Sequence, residues 1–214
     1  MLNAQPDGYL AIPRTEKGSP VLVLHAWWGL NDTMKSVCTR LAESGFTAFA
    51  PDLYHGKLAD KIADAESLSD ELDTHQAKAD IAAAVKFLIE QTGRTNRSLA
   101  VIGFSLGAYF ALDLSVADPG HIHSVIIFYG TRAGDYSNSR ASYLGHFAET
   151  DQFEPQSDVD ELEAALSRAG RPVNFYGYPG TSHWFFESDR AHAFNQPAAD
   201  LAWDRTLAFL RDSL

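Results

Sequence analysis

Ser98-Leu99-Ala100-Val101-Ile102-Gly103-Phe104-Ser105-Leu106-Gly107-Ala108 passes from a continuous apolar run into a bend with a glycine on either side of a serine, and then into a helical pattern of Ala108, Ala111, Leu112 and Ser115. The apolar run predicts a strand over Ser98 to Ile102 that is buried on both faces. Gly103 to Gly107 has the form G-x-S-x-G, and between a strand and a helix that form predicts a strained turn holding the serine hydroxyl out at the sheet's edge. Small residues are needed two before and two after the serine because side chains there would clash. The helix N-terminus under the serine favours negative charge developing beside it.

Outward from this stretch, Val21 to Leu24, Phe46 to Ala50, Val125 to Tyr129, Tyr143 to Ala148 and Val173 to Tyr176 also read as strands. Helical patterns lie between them. Asn31 and Asp32 offer a cap ahead of Met34, Val37, Cys38 and Leu41, and Gly45 sits where a left-handed C-terminal residue belongs. Ile81, Val85, Leu88 and Ile89 run up to Gly93; Val159, Leu162 and Leu166 run up to Gly170; and Pro197 opens a last helix at its first position. Gly130 to Ser142, rich in Ser, Gly, Asn and Arg, reads as an exposed loop. Alternation of this kind predicts an α/β fold, a doubly wound and mostly parallel sheet flanked by helices, whose ligands bind at the carboxyl ends of the strands.

The bulk properties narrow the function. With 214 residues, 45% of them hydrophobic, the chain is expected to form one domain over residues 1–214. A net charge of −11 with no Lys/Arg cluster disfavours nucleic acid and acidic lipid as partners. The opening segment Met1 to Arg14 has no basic region followed by an apolar run, and no stretch is long enough to span a bilayer, so the expected place is the cytoplasm, without membrane contact. Cys38 is the only cysteine, which leaves no intrachain disulfide or zinc-finger type of metal site; on an amphipathic helix face it reads as an inert core residue.

A serine hydroxyl is a weak nucleophile at neutral pH and needs a base, which itself needs an orienting partner. Behind a nucleophile elbow these follow in chain order as acid and then histidine. Asp151, after the strand Tyr143 to Ala148, and His183, in the loop Gly180 to Trp184, fall where strand ends present side chains. Glu149, Glu154 and Asp158 are rivals to Asp151, open to reading as solvated charges or caps. His25, His55, His121, His123, His146 and His192 have no triad context, and His121 with His123 lacks a third metal ligand nearby. The loop His25-Ala26-Trp27-Trp28-Gly29 is expected to supply one backbone N–H of an oxyanion hole, from Trp27, with Leu106 supplying the other. Trp28, Tyr54, Trp184 and Phe185 are candidate substrate-binding residues: Trp27, Trp28, Trp184, Phe185 and Phe186 flank the proposed site on two loops, where an apolar or aromatic pocket and plain core packing are both open readings.

Asp7 to Pro13, Trp28-Gly29-Leu30-Asn31, Pro51-Asp52-Leu53-Tyr54, the elbow, Asp151 and Gly180 to His183 together resemble the dienelactone hydrolase family of the α/β-hydrolase superfamily. The resemblance spans nearly the whole chain, and the Pro-Asp-Leu-Tyr segment is more family-specific than the elbow. It implies the α/β-hydrolase fold and a triad in which the family's cysteine, aspartate and histidine correspond to Ser105, Asp151 and His183. Two departures agree with each other: serine replaces the cysteine, and Ala26 stands where the family often has a glutamate that interacts with the resting thiol. A further departure concerns the two arginines that anchor the dienelactone carboxylate, whose places hold Gly56 and Glu187, a carboxylate expected to repel an anion; Lys57 and Arg190 lie close enough in sequence to substitute. The expected function is a serine hydrolase of carboxylic esters or related acyl bonds, acting through an acyl-enzyme on neutral apolar or aromatic substrates. The expected partners are a small ester or lactone and, in assembly, no more than a small homo-oligomer; no cofactor or metal is implied. The alternatives are a dienelactone hydrolase proper and a non-catalytic relative that binds a small ligand.

Overall fold

Strand β3 (Thr47–Pro51) is fully buried and lies between two neighbours in the computed structural model, which describes residues 5–14, 18–93 and 98–213. The first four residues of the opening segment lie outside that description. The chain divides into two units, Met1–Leu99 and Ala100–Leu214.

In the first unit the strand order is β1-β3-β2, with β1 (Gly8–Ala11) antiparallel and β2 (Pro20–Leu24) parallel to β3. Leu10 pairs with Phe49 on one side of β3 and Leu22 pairs with Phe49 on the other. The connection from β2 to β3 is α1 (Asp32–Glu43), capped as its sequence predicts: Asn31 accepts the Met34 N–H at 3.0 Å, and Gly45 takes φ 96°. Met34, Val37, Cys38 and Leu41 form its buried face. Helix α3 (Thr74–Thr92) is capped by Asp73 and ended by Gly93 at φ 60°. Two elements escape the sequence reading. Strand β1 is only half-buried, and α2 (Ile62–Asp70) buries Ala65 alone, so neither shows an apolar period.

The second unit has the order β4-β5-β6-β7, formed by β4 (Leu99–Phe104), β5 (Ile122–Phe128), β6 (Ser142–Thr150) and β7 (Val173–Ser182). β5 with β6 and β6 with β7 pair in parallel; Phe128 meets His146, which meets Tyr176. Helix α4 (Leu106–Ala117) follows β4, and α5 (Gln156–Arg168) and α6 (Gln196–Ser213) pack on β7 and on β5 and β6. Pro197 is the second residue of α6, one later than its sequence suggests, because Asn195 is the cap and accepts the Ala198 N–H at 3.2 Å. The exposed loop expected over Gly130 to Ser142 is irregular as far as Ala141, Ser142 being the first residue of β6, and it is not wholly exposed: Tyr136 turns inward and donates to the Arg132 carbonyl at 2.7 Å. His146, fully buried, is held by the Tyr178 hydroxyl at 2.7 Å and by Thr206 at 3.1 Å, which ties α6 to the sheet.

β7 runs six residues past the expected end at Tyr176, through Gly177, Pro179 and Gly180. Such residues break an interior strand but are tolerated at an edge and at bulges. β7 is an edge strand, and its register with β6 slips between Ala148 and Thr150: Ala148 pairs with Tyr178 and Thr150 with Ser182. The slip brings the last residue before His183 level with the last before Asp151. Among the described residues no helix is long and apolar enough to cross a membrane.

Candidate active site

Gly103 and Gly107 allow the elbow to close: a Cβ built on Gly103 would lie 2.3 Å from the Gly107 carbonyl oxygen. Gly130, after β5, is confined in the same way, since its Cβ would fall 2.7 Å from the Ser105 carbonyl oxygen and 2.6 Å from the Ala108 Cβ. Between them Ser105 is forced to φ 51° and ψ −113°, a conformation disfavoured for any residue with a Cβ. The Ser105 backbone N–H is tied to the Phe128 carbonyl at 2.9 Å. Its side chain makes no capping bond to α4, and its Oγ lies 3.0 Å from His183 Nε2.

His183 Nδ1 lies 2.7 Å from Asp151 Oδ2, with both side chains at most 5% exposed. A carboxylate only accepts, so Nδ1 carries the proton and Nε2 is left to accept from the serine. Asp151 is fixed by its own turn: Oδ1 accepts the backbone N–H groups of Phe153 and Glu154 at 2.9 and 3.0 Å. The rivals are engaged elsewhere. Glu149 accepts the Gly180 N–H at 2.9 Å, and Glu154 accepts the Thr131 hydroxyl at 2.6 Å, with burial pushing its carboxyl up. Asp158 lies on the first turn of α5.

Leu106 is the first residue of α4, where the backbone N–H groups have no acceptor inside the helix. Trp184 takes φ 67° beside His183, and the Phe153 ring lies 5.0 Å from the His183 ring and 5.1 Å from that of Trp184. Phe185 has no exposed surface and packs on Tyr129 and Tyr178 at 5.6 and 5.0 Å, which makes it a core side chain. In the first unit, Trp27 is half-buried and meets Trp28 edge-on at 5.5 Å, and Trp28 and Tyr54 are buried. His25, outside any triad, fastens the loop after β3 to that after β2: Nδ1 lies 2.7 Å from the Ala26 carbonyl and Nε2 accepts the Leu53 N–H at 3.1 Å.

Glu187 corrects the expectation of a carboxylate that repels an anion. It is fully buried, its Oε1 accepts the Tyr129 hydroxyl at 2.8 Å, and burial pushes its carboxyl up to about 8. Nor is either substitute cation idle: Arg190 Nη2 is 2.8 Å from Asp189 Oδ2 and Lys57 Nζ is 3.3 Å from Glu71 Oε2. Tyr129, at φ 37° and 4.9 Å from the His183 ring, is a site residue that sequence reasoning places only at the end of a strand. Among the described residues, three of the four non-glycine residues with positive φ, Ser105, Tyr129 and Trp184, gather here, as backbone strain does at functional sites.

The sequence profile of the dienelactone hydrolase family matches residues 7–214. A relative from Aquifex pyrophilus, protein usf, is 32% identical over 97% of this chain and 93% of its own length. One from Aquifex aeolicus that carries the name carboxymethylenebutenolidase is 29% identical over 97% and 93%. The crystal structure of a protein from Klebsiella pneumoniae subsp. pneumoniae, named as a dienelactone hydrolase, superposes with a TM-score of 0.84 at 24% identity, covering 94% of this chain and 91% of that one. The chain therefore belongs to the dienelactone hydrolase family, with the α/β-hydrolase fold, and is a hydrolase of ester or lactone bonds.

Proposed function

We propose that the chain is a serine hydrolase that cleaves neutral carboxylic esters through an acyl-enzyme on Ser105. The observation that carries this reading is the unbroken relay from Ser105 Oγ to His183 Nε2 at 3.0 Å and from His183 Nδ1 to Asp151 Oδ2 at 2.7 Å. In the first half-reaction Ser105 Oγ bonds to the ester carbonyl carbon while its proton passes to His183 Nε2. The carbonyl oxygen becomes an oxyanion, for which the Leu106 N–H at the start of α4 is the proposed donor. Collapse breaks the bond to the leaving alkoxide, which takes the proton from Nε2. Water then attacks the acyl-enzyme, giving its proton to Nε2, and the acid leaves as Ser105 recovers the proton. Asp151 stabilises the imidazolium and holds the ring in the required tautomer throughout.

The preference for neutral substrates rests on the missing anion grip. Gly56 has no side chain, Glu187 is buried, and Arg190 and Lys57 are paired with carboxylates. Labelling by a fluorophosphonate probe, with Ser105→Ala as the control, tests the nucleophile. Wild-type labelling that the variant loses, together with turnover of a p-nitrophenyl ester falling by several orders of magnitude, is expected. Activity of the variant within a few-fold of wild type would overturn the reading.

A further inference from the structure

Glu187 is four residues past His183 and has no exposed surface. A carboxyl so placed has to be paired or neutral. The Tyr129 hydroxyl holds Oε1 at 2.8 Å, and Oε2 has no hydrogen-bond partner among the described residues. Tyr129 is itself fully buried, and its ring faces that of His183 at 4.9 Å, tilted by 58°. One hydroxyl-to-carboxyl bond therefore connects Glu187 to an aromatic surface against which the His183 ring rests; Phe153, at 5.0 Å, is another aromatic neighbour of that ring.

We infer, on the reading of Ser105, Asp151 and His183 proposed above, that Glu187 is a positioning residue for His183, acting through Tyr129 and in its neutral form. Burial is the largest influence on the Glu187 carboxyl, raising it to about 8; the Tyr129 hydroxyl and Arg190 pull it down and Asp189 pushes it up. Arg190, the nearby cation, is bonded to Asp189 at 2.8 Å. Tyr129 also feels Asp151, from the turn after β6, so an ionised Glu187 would add a second negative charge to one already shared with the triad. Such a charge favours imidazolium over imidazole, the wrong form for a resting base and a poor donor of its proton to the leaving group. A neutral carboxyl keeps the tyrosine in place without that charge.

The test measures kcat and KM for a neutral p-nitrophenyl ester from about pH 5.5 to about pH 9.5 in wild type, Glu187→Gln, Glu187→Ala and Tyr129→Phe, with fluorophosphonate labelling and thermal melts beside them. Glu187→Gln, which mimics the neutral acid, is expected within about threefold of wild type at neutral pH, while Glu187→Ala and Tyr129→Phe lose about tenfold in kcat with KM little changed. Wild-type kcat is expected to decline above about pH 8, and Glu187→Gln to lack that step. Because folding raises the Glu187 pKa, wild type loses stability as pH rises toward that value; Glu187→Gln is therefore expected to melt higher than wild type at pH 8, by a margin that shrinks on acidification.

A glutamine variant as damaged as the alanine one, alanine and phenylalanine variants with wild-type kcat, or an alkaline step that persists in Glu187→Gln would each overturn the inference. If Glu187→Ala fails to fold, Glu187→Gln and Tyr129→Phe decide. Wild type that is labelled normally, with all Glu187 variants unaffected, overturns this inference alone. Wild type that resists the probe, with Ser105→Ala still active, overturns the serine reading and this inference with it.

Discussion

Asp151 divides its two carboxylate oxygens between jobs: Oδ2 takes the His183 Nδ1–H at 2.7 Å, while Oδ1 is held by the backbone of Phe153 and Glu154. The division predicts what an amide would do there. In Asp151→Asn the two backbone donors retain the side-chain oxygen, so the amide NH2 is turned toward His183. Nδ1 must then accept, which leaves Nε2 protonated and facing the serine, unable to take its proton. The expected loss in kcat is on the order of a thousandfold or more, as for other wrong-tautomer variants. Glu149→Gln and Glu154→Gln are expected to stay within a few-fold of wild type, since those side chains brace Gly180 and Thr131 instead. Steady-state kinetics of the three variants check this, and a severe Glu149 or Glu154 variant beside a neutral Asp151→Asn would reverse the assignment.

Gly103→Ala is expected to destabilise the fold and disable the elbow together. The added methyl would lie 2.3 Å from the Gly107 carbonyl oxygen and 2.6 Å from the Ala108 nitrogen, both backbone atoms that cannot move without shifting the start of α4. Overpacking of this kind costs about 1–3 kcal/mol. Urea unfolding should show a lower midpoint, and labelling of Ser105 should slow, because the serine rides on the displaced turn. An unchanged midpoint would mean that the bend is slack.

His146 gives the fold an acid sensitivity that the variant His146→Gln should remove. Burial, with a smaller contribution from Arg205, lowers its pKa from 6.5 to about 3, so it is neutral in the folded protein where the unfolded chain would protonate it. The unfolded state then binds more protons, and stability falls as pH drops below 6.5 toward 3. The contribution is at most about 1.4 kcal/mol per pH unit across that window. Glu187 acts with the opposite sign, so the difference between wild type and His146→Gln isolates the histidine. Urea denaturation at a series of pH values is the measurement, and a constant difference from pH 7 to pH 4 would contradict it.

The parts of this fold that were legible in the sequence are those whose burial is periodic. Val37, Cys38 and Leu41 announce α1 because they share a buried face, and the fully buried, mostly apolar β2, β3 and β4 announce the interior of a parallel sheet. Helix α2 stayed hidden because Ala65 is the one side chain it buries. The far half of β7 stayed hidden because Gly177, Pro179 and Gly180 carry turn chemistry that an edge strand with a bulge accommodates. In the candidate site, Ser105, Asp151 and His183 follow from chain order and strand ends. The part of Glu187 does not, since a glutamate reads as a surface charge until the fold places it against Tyr129.

The last prediction concerns substrate charge, on which the chain departs most from the pattern its sequence resembles. A carboxylate-bearing substrate needs a cation that remains free when the substrate arrives, and a guanidinium fork serves best. Arg190 is 8% exposed, with Nη2 committed to Asp189 at 2.8 Å. Lys57 pairs with Glu71 at 3.3 Å through side chains 63% and 66% exposed, a contact weakened by solvent and salt that offers one point charge on a flexible stem. The net charge of −11 adds a weak long-range repulsion of anions. The buried Glu187 contributes none in its neutral form, so the discrimination should come from the absence of attraction. A neutral aryl ester is therefore expected to exceed its carboxylated analogue in kcat/KM by about tenfold, which is about 1.4 kcal/mol of transition-state binding. High salt should narrow the gap only slightly, because it screens the long-range repulsion and supplies no anchor. Measuring both esters at low and high salt decides the matter: a preference for the carboxylated form that weakens as salt rises would reveal a cationic anchor and move the specificity toward carboxylate-bearing lactones.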